Sequence, residues 1–297
     1  MSWTFRSFAK INLHLQVVGR RADGYHELRT VFQTVDLHDL ITLEVAATGV
    51  ELVVTEGGSP SGSENLAVRA ARLFLGRWAP ASGVRITLTK RIPVGGGLGG
   101  GSSNAATVLR GLAALFDVQP DPTELWTTAR SLGADVPYFL VGGTALGVGR
   151  GDEVVPLPDL PEQELWLVVP PIEIPTAVIY AALEEPGAAS LDPALGPLLA
   201  GTGSRRIADL PARNDLEPLA RERFPLLREV YNGLQSVGAS CARLSGSGAT
   251  VFACFAASPA GDRLTECLPV GTRVIRAFTL NRTSLRERFR SRDAVGG

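Results

Sequence analysis

Lysine is nearly missing from this chain. Of 29 basic residues only Lys10 and Lys90 are lysine, and the rest are arginine. Arginine evidently serves wherever a generic positive charge is enough. The two lysines thus become candidates for places that need a compact ammonium rather than a planar guanidinium. Cysteine is also scarce. Cys241, Cys254 and Cys267 are odd in number and too widely spaced for a zinc knuckle, as expected of reduced, mostly structural thiols in a cytoplasmic protein. Neither sign of charge is in excess: a formal net charge of −1 gives no electrostatic ground for nucleic acid or a membrane as partner. No apolar run approaches membrane-spanning length, and "MSWTFRSFAK" has no signal-peptide core. No metal cage is visible in the sequence, so Mg²⁺ would have to arrive with a nucleotide. At 297 residues, 45% hydrophobic and 20% charged, the chain reads as a globular protein of one large or two ordinary domains.

Glycine is what the chain has in plenty. In "PVGGGLGGGSSNAA", Pro93 to Ala106, six of fourteen residues are glycine. A flexible linker is one explanation. A linker would not normally run straight into an amphipathic helix, yet Ala105, Val108, Leu109, Leu112 and Phe116 fall on one helical stripe. Upstream, "GVRITLTKRI" alternates as a strand does. The glycines therefore join a strand to a helix N-terminus, where backbone N–H groups bind anions and glycine permits the turns that gather them. Gly95, Gly97 and Gly100 fit G-x-G-x-x-G, but no acid-terminated second strand follows, as a dinucleotide fold requires. No Lys-Ser or Lys-Thr completes a P-loop, and the protein-kinase partner motifs are missing. The loop reads as a phosphate cradle of another kind.

The rest of the chain alternates strands and helices, with antiparallel signals first, which predicts a two-domain α/β or α+β protein. "AKINLHLQVV" places Lys10, Asn12, His14 and Gln16 on one face. An Asp23-Gly24 turn follows, then strands near 30–36, 40–45 and 50–55. "SENLAVRAARLFL" predicts a helix with Ser63 as its cap. The next helix has Asp121 as cap, Pro122 at its first position, Glu124 to complete a capping box and Gly133 as stop. A Pro/Asp-rich stretch near Gly151–Pro161 is the candidate boundary. Beyond it come the strand "LWLVVP", a low-complexity and mobile excursion over 184–204, and a helix near Leu216–Val237. "CARLSGSGATVFACF" reads as strand, glycine turn, strand; its Ser245–Thr250 loop is either a hairpin or a second anion nest. A last strand over 273–280 precedes a frayed basic tail.

These parts suit phosphoryl transfer: a phosphate nest, a lysine for charge, and Asp135 as a group that orients or deprotonates a nucleophile. Asp135 reads equally as a helix cap before Val136-Pro137. Tyr25 and His26 either stack on and hydrogen-bond to a flat base or pack on the domain surface. His14 and His38 read as structural.

The glycine loop resembles the phosphate loop of the GHMP kinases, the superfamily of galactokinase, homoserine kinase and mevalonate kinase. Four segments in order, "FAKINLHLQVVGRRADGYHEL", the glycine run, "GADVPYFL" and "LSGSGATVFA", with a weaker "IPTAVIY", resemble one branch of it. That branch phosphorylates the tertiary 2-hydroxyl of a cytidylated methylerythritol in non-mevalonate isoprenoid synthesis. The resemblance implies an α+β, GHMP-like fold, with a mixed or antiparallel sheet in an ATP-binding domain over 1–155. It also implies an α/β-sandwich substrate domain over 156–285 and leaves 286–297 as a frayed tail. By the same resemblance, Lys10 and Asp135 are catalytic, and Asn12 and Thr176 meet the substrate. Tyr25 and Tyr180 would sandwich the cytosine, with His26 at its polar edge. ATP with Mg²⁺ would lie on Pro93, Val94, Gly95, Gly96, Gly97, Leu98, Gly99, Gly100, Gly101, Ser102 and Ser103, with Asn65 and Lys90 approaching the adenine. The Ser245–Thr250 loop would close from the other domain. Another small-alcohol kinase of the superfamily and a non-catalytic binding protein on the same fold are the alternatives; Tyr25 and His26 argue against the first, intact Lys10 and Asp135 against the second.

Overall fold

The computed structural model describes residues 2–58, 62–183, 192–193, 195–200, 206–211 and 213–290. Most of the 184–204 stretch, and 291–297 of the expected tail, lie outside the described residues. The first half runs β1 (Ser2–Arg20), β2 (His26–Ala46), β3 (Val50–Glu56), α1 (Leu66–Trp78), β4 (Gly83–Thr89), α2 (Gly100–Leu115), α3 (Pro122–Leu132), α4 (Val136–Val141), β5 (Thr144–Gly149) and β6 (Glu153–Pro156). The second runs β7 (Glu164–Val169), α5 (Thr176–Ala181), α6 (Leu195–Leu199), α7 (Glu217–Arg223), α8 (Pro225–Ser236), β8 (Ala239–Leu244), β9 (Val251–Phe255), α9 (Gly261–Glu266), β10 (Arg273–Phe278) and α10 (Arg282–Phe289).

The architecture is α+β. β1 to β6 form one mixed sheet in the order β3-β4-β2-β5-β6, with β1 paired to β2. Only β3 and β4 run parallel; the other pairs are antiparallel. β2 carries β4 beside its second half and β5 beside its first, so two strands share one edge of it. β7 to β10 form a separate antiparallel sheet, β10-β7-β9-β8.

Three apolar clusters follow from these faces. Ile41, Leu43, Ile86 and Leu88 of the first sheet pack on Ala70 and Phe74 of α1 and on Val108 and Leu112 of α2. Trp166, Val168 and Val251 of the second sheet pack on Leu227, Val230 and Leu234 of α8. Between the sheets, Ile11, Leu13 and Val31 meet Leu165, Leu167 and Phe252. β1 is therefore a seam. Its polar face, Lys10, Asn12, His14 and Gln16, is buried throughout. Buried polar groups must find partners, and these partners build the site described below.

Several local expectations change. Asn65, not Ser63, caps α1: its side chain accepts the Ala67 N–H. Asp121 caps α3 as expected, accepting from Thr123 and Glu124, but Glu124 closes no capping box because its carboxylate is taken by Arg77 at 2.6 Å. The strands expected over 30–36 and 40–45 are one continuous β2, held through the gap by pairing with β1. The helix expected over 216–237 is two. Pro225 lacks an N–H and forces Phe224 out of the helical region (φ −120°, ψ 89°), so α7 stops and α8 begins.

The tail also differs from expectation as far as Phe289. α10 is capped by the Asn281 side chain, which accepts the Ser284 N–H. Its Leu285 is buried with Phe8 and Leu280, and its Phe289 ring lies 5.2 Å from Phe5. Local propensity could not reveal this, because the helix is stabilised by contacts with the far end of the chain. Leu285→Ala should therefore destabilise the protein by about 2–5 kcal/mol in urea unfolding; an unchanged midpoint would show that α10 is peripheral to the fold.

Candidate active site

The phosphate loop begins where β4 ends. Gly95, Gly97 and Gly99 all have positive φ (71°, 73° and 69°), so alternate residues are left-handed and successive N–H groups gather on one side. Gly99 is also the residue that precedes the first turn of α2. A cavity of about 310 Å³ lies over the loop, bordered by Asn65, Lys90, Gly95 to Gly101, Ser102 and Thr176. This places Pro93 to Ser102 against one space able to hold phosphate.

Two expected ligands sit differently. Ser103 turns inward: its hydroxyl donates to the Phe8 carbonyl at 2.6 Å and accepts from Ser7, and the residue is buried. Lys90 borders the cavity, but its ammonium is bound to Asp39 at 2.5 Å. Asp39 is fully buried, and its other bonds come from the N–H groups of Arg91 and Ile92 and the Asn104 amide. One carboxylate thus ties β2, the entry to the phosphate loop and α2 together. Lys90 is the countercharge of that knot as well as a wall of the cavity.

The second lysine is held more loosely. Lys10 is buried and donates to Asn12 Oδ1 at 2.6 Å, while Asn12 donates to the Thr30 hydroxyl at 2.7 Å. Its ammonium stands 3.5 Å from Asp135 Oδ2. Asp135 occupies the cap position of α4, yet its side chain makes no cap hydrogen bond among the described residues. The cap alternative is therefore not realised. The Asp135 carboxylate is about a third exposed (35%) and faces a cavity of about 170 Å³ shared with Lys10, Asn12, Gly97 and Thr176.

A third cavity, about 550 Å³, opens from the other side of Asp135. Tyr25, His26, Thr176 and Tyr180 all border it. Tyr25 is held in a turn by the Asp23 carboxylate, which accepts its N–H at 3.1 Å, and the side chain is exposed. Tyr180 packs on the His26 ring at 5.0 Å between centroids. Burial, aided by Arg20, lowers the His26 pKa, so the ring is neutral at neutral pH. Thr176 shares a 2.8 Å hydrogen bond with Ser247 of the second glycine loop and borders all three cavities.

Arg150 was not singled out in the sequence, where nothing marks it among so many arginines. It stands between Gly149 and Gly151 on a tight hairpin and borders the two cavities around Asp135. Buried Asp152 binds it at 2.8 Å, and its guanidinium lies 4.9 Å from the centre of the Tyr25 ring. A cation fixed beside an aromatic platform suits an anionic group next to a planar base.

The two loops also meet. An added Cβ at Gly97 would collide with the Ser245 carbonyl oxygen, and the Ser245 hydroxyl donates to the Gly97 carbonyl at 3.0 Å. Three spaces in series therefore run from a phosphate nest, past an ammonium–carboxylate pair, to an aromatic pocket.

Comparison with known proteins shows the family and the fold. The GHMP kinases N terminal domain matches residues 65–143, and the GHMP kinases C terminal domain matches 198–269. A 4-diphosphocytidyl-2-C-methyl-D-erythritol kinase of Thiobacillus denitrificans is 44% identical over 91% of this chain and 92% of its own length. The enzyme of that name from Solibacter usitatus is 42% identical over 89% of this chain and 84% of its own. A crystal structure of a 4-(cytidine 5'-diphospho)-2C-methyl-D-erythritol kinase superposes with a TM-score of 0.78 at 38% identity, covering 93% of this chain and 98% of that one. A homoserine kinase from Cytophaga hutchinsonii shares the fold, with a TM-score of 0.70 at 20% identity over 94% of this chain and 95% of its own.

The Lys90–Asp39 bond generates a prediction. Lys90→Met should cost about 3–5 kcal/mol of stability, because it leaves a buried carboxylate without its countercharge. Loss of less than about 1 kcal/mol, within the range of exposed pairs, would show that the N–H and amide donors alone satisfy Asp39.

Proposed function

We propose, because this chain belongs to the 4-diphosphocytidyl-2-C-methyl-D-erythritol kinases of the GHMP superfamily, that it makes the 2-phosphate of that cytidylated alcohol from ATP, releasing ADP, in the non-mevalonate route to isoprenoid precursors. The observation that carries this is the position of Asp135. It stands between the phosphate nest and the aromatic pocket, 3.5 Å from the Lys10 ammonium.

The steps follow from that geometry. ATP lies on the nest with its γ-phosphate toward Lys10, where main-chain N–H groups meet phosphate oxygens that side chains would obstruct. The cytosine enters the aromatic pocket between Tyr25 and Tyr180, and neutral His26 reads its edge. The Arg150 guanidinium is close enough to this platform to take a phosphate of the diphosphate. Asn12 and Thr176 hold the polyol. The tertiary 2-hydroxyl then faces Asp135, which takes its proton as the oxygen attacks the γ-phosphorus and the bond to the β-phosphate oxygen breaks. Lys10, 3.5 Å from the Asp135 carboxylate, stabilises charge developing on the transferring group. Asn65, as cap of α1, and Lys90 border the adenine end.

Mg²⁺ accompanies ATP in this scheme. Among the described residues no three His, Cys, Asp or Glu side chains converge as a metal cage. A magnesium ion carried mainly by nucleotide phosphates needs only one or two protein oxygens, and Ser102, which borders the phosphate cavity, is a donor of that chemistry. When bound, it neutralises phosphate charge. Residues 1–155 then form the nucleotide-binding domain and 156–285 the substrate domain. The cytoplasm, where the free thiols of Cys241, Cys254 and Cys267 stay reduced, is the compartment proposed.

The direct test is ADP release with Mg²⁺, ATP and a panel of 4-diphosphocytidyl-methylerythritol, mevalonate, homoserine and galactose. Turnover confined to the first is expected; turnover with another alcohol would discard the roles of Tyr25, His26 and Tyr180. Asp135→Asn should lower kcat by about 10²–10⁴ with the ATP Kd unchanged, as loss of a general base does; near-normal kcat would remove Asp135 from the mechanism. Tyr25→Ala should weaken the cytidylated substrate by about 1–3 kcal/mol, the scale of base stacking on an aromatic ring. Titration calorimetry reads this directly, and equal Kd values for variant and parent would refute stacking.

A further inference from the structure

One short segment, Arg213 to Asp215, joins the lobes along β1. The Leu15 N–H donates to the Arg213 carbonyl at 2.8 Å, and the Asp215 N–H donates back to the Leu15 carbonyl at 2.9 Å. The Val17 N–H donates to the Asp215 carboxylate at 2.9 Å. The Arg213 N–H reaches His14 Nδ1 at 3.4 Å. Burial pushes the His14 pKa down to about 4, against the pull of Asp192, so the ring is neutral and can accept.

Asn214, at the centre of this segment, uses its whole side chain. Its amide donates to the Leu244 carbonyl at 2.9 Å and to the Gly246 carbonyl at 2.7 Å, and its Oδ1 accepts the Leu216 N–H at 3.0 Å. Only an amide of this length offers two donors and an acceptor here. Aspartate has no N–H to donate, and glutamine is one methylene too long. The residue is buried and borders none of the three cavities described above.

The loop that Asn214 holds touches each part of the site. Ser245 and Thr250 bind the phosphate loop, through Ser245 Oγ to the Gly97 carbonyl at 3.0 Å and the Thr250 N–H to the Gly96 carbonyl at 3.3 Å. Ser247 binds Thr176. The backbone of Gly246 lies against the catalytic strand, where a Cβ would come within 3.3 Å of Asn12 Oδ1 and 3.4 Å of Lys10 Nζ. We infer that Asn214 is a positioning residue for phosphoryl transfer. By holding the carbonyls on both sides of Ser245, it sets the loop that aligns the phosphate nest with Lys10 and the substrate hydroxyl. The inference rests on the kinase activity proposed above.

The test uses Asn214→Asp, which keeps shape and the acceptor but turns an oxygen toward two carbonyls. Asn214→Ser serves as second variant should the first not fold, and Asp215→Ala is the control that loosens the same segment without touching the loop. Each is measured for Tm, for kcat and both KM values at 25 °C, and for amide hydrogen exchange over 244–252. In the Asn214 variants kcat should fall about 10- to 100-fold, as misplacement near the chemistry does. KM for the cytidylated substrate should stay within about threefold, because the aromatic pocket keeps its contacts. The amides of Gly248 and Thr250 should exchange faster. Asp215→Ala should lower Tm but keep kcat within about twofold, as a purely structural change does. Parental kcat in folded Asn214 variants, or unchanged loop exchange, would overturn the inference. An inactive parent would instead overturn the proposed reaction, and loop exchange would still decide whether Asn214 anchors the loop.

Discussion

The site depends on two glycine loops being allowed to touch. The Ser245 carbonyl occupies the space that any side chain on Gly97 would need. Gly97 has positive φ, so the same residue that turns the phosphate nest also admits the second loop. A β-carbon there would push the second loop, and the Ser247 that bonds Thr176, away from the nest. The contact is main chain against main chain, which gives it little freedom to adjust. It holds because each loop is anchored from behind, the first by Asp39 under α2 and the second by Asn214 beside β1.

The two lysines show how burial sorts like residues into unlike tasks. Lys90 and Asp39 are both buried and 2.5 Å apart, and the carboxylate has further donors. A buried pair of this kind fixes geometry more than it adds net stability, since desolvation consumes much of the attraction. Lys10 and Asp135 are 3.5 Å apart, and the carboxylate is partly open to a cavity. A looser pair retains capacity to bind a third group, which is what chemistry on a hydroxyl requires. Arginine would not serve at position 90: a planar fork would not fit beneath Gly100, whose Cβ would already lie 3.0 Å from Lys90 Nζ.

Legibility in the sequence followed the range of the interaction. The phosphate loop was legible because strand, glycines and helix are consecutive. The shared face of Lys10 and Asn12 was legible because strand alternation is local. Ser63 was mistaken for the cap of α1 because Asn65, two residues on, satisfies the same preference, and only the course of the backbone decides between them. Ser103 looked like its neighbour Ser102, yet the helical turn carries its hydroxyl inward to Phe8. Asp39, Arg150 and Asn214 carried no signal: Lys90 lies 51 residues beyond Asp39, the two carbonyls that Asn214 holds lie 30 and 32 residues beyond it, and Arg150 meets the distant Tyr25 from a hairpin with no distinctive pattern.

By itself, then, the sequence determined the chemistry on offer: a backbone nest for phosphate, a scarce ammonium on a strand face, a carboxylate at a helix start and an aromatic turn. Each is set by spacing within a dozen residues or so. Only the tertiary structure decided which of these meet. Asp135 faces Lys10 instead of capping α4, Lys90 is tied to Asp39, and Arg150 sits beside Tyr25. The reason is physical. A polar side chain takes whatever partner the packing of distant apolar faces brings within about 3 Å, and burial along β1 leaves it no water as an alternative.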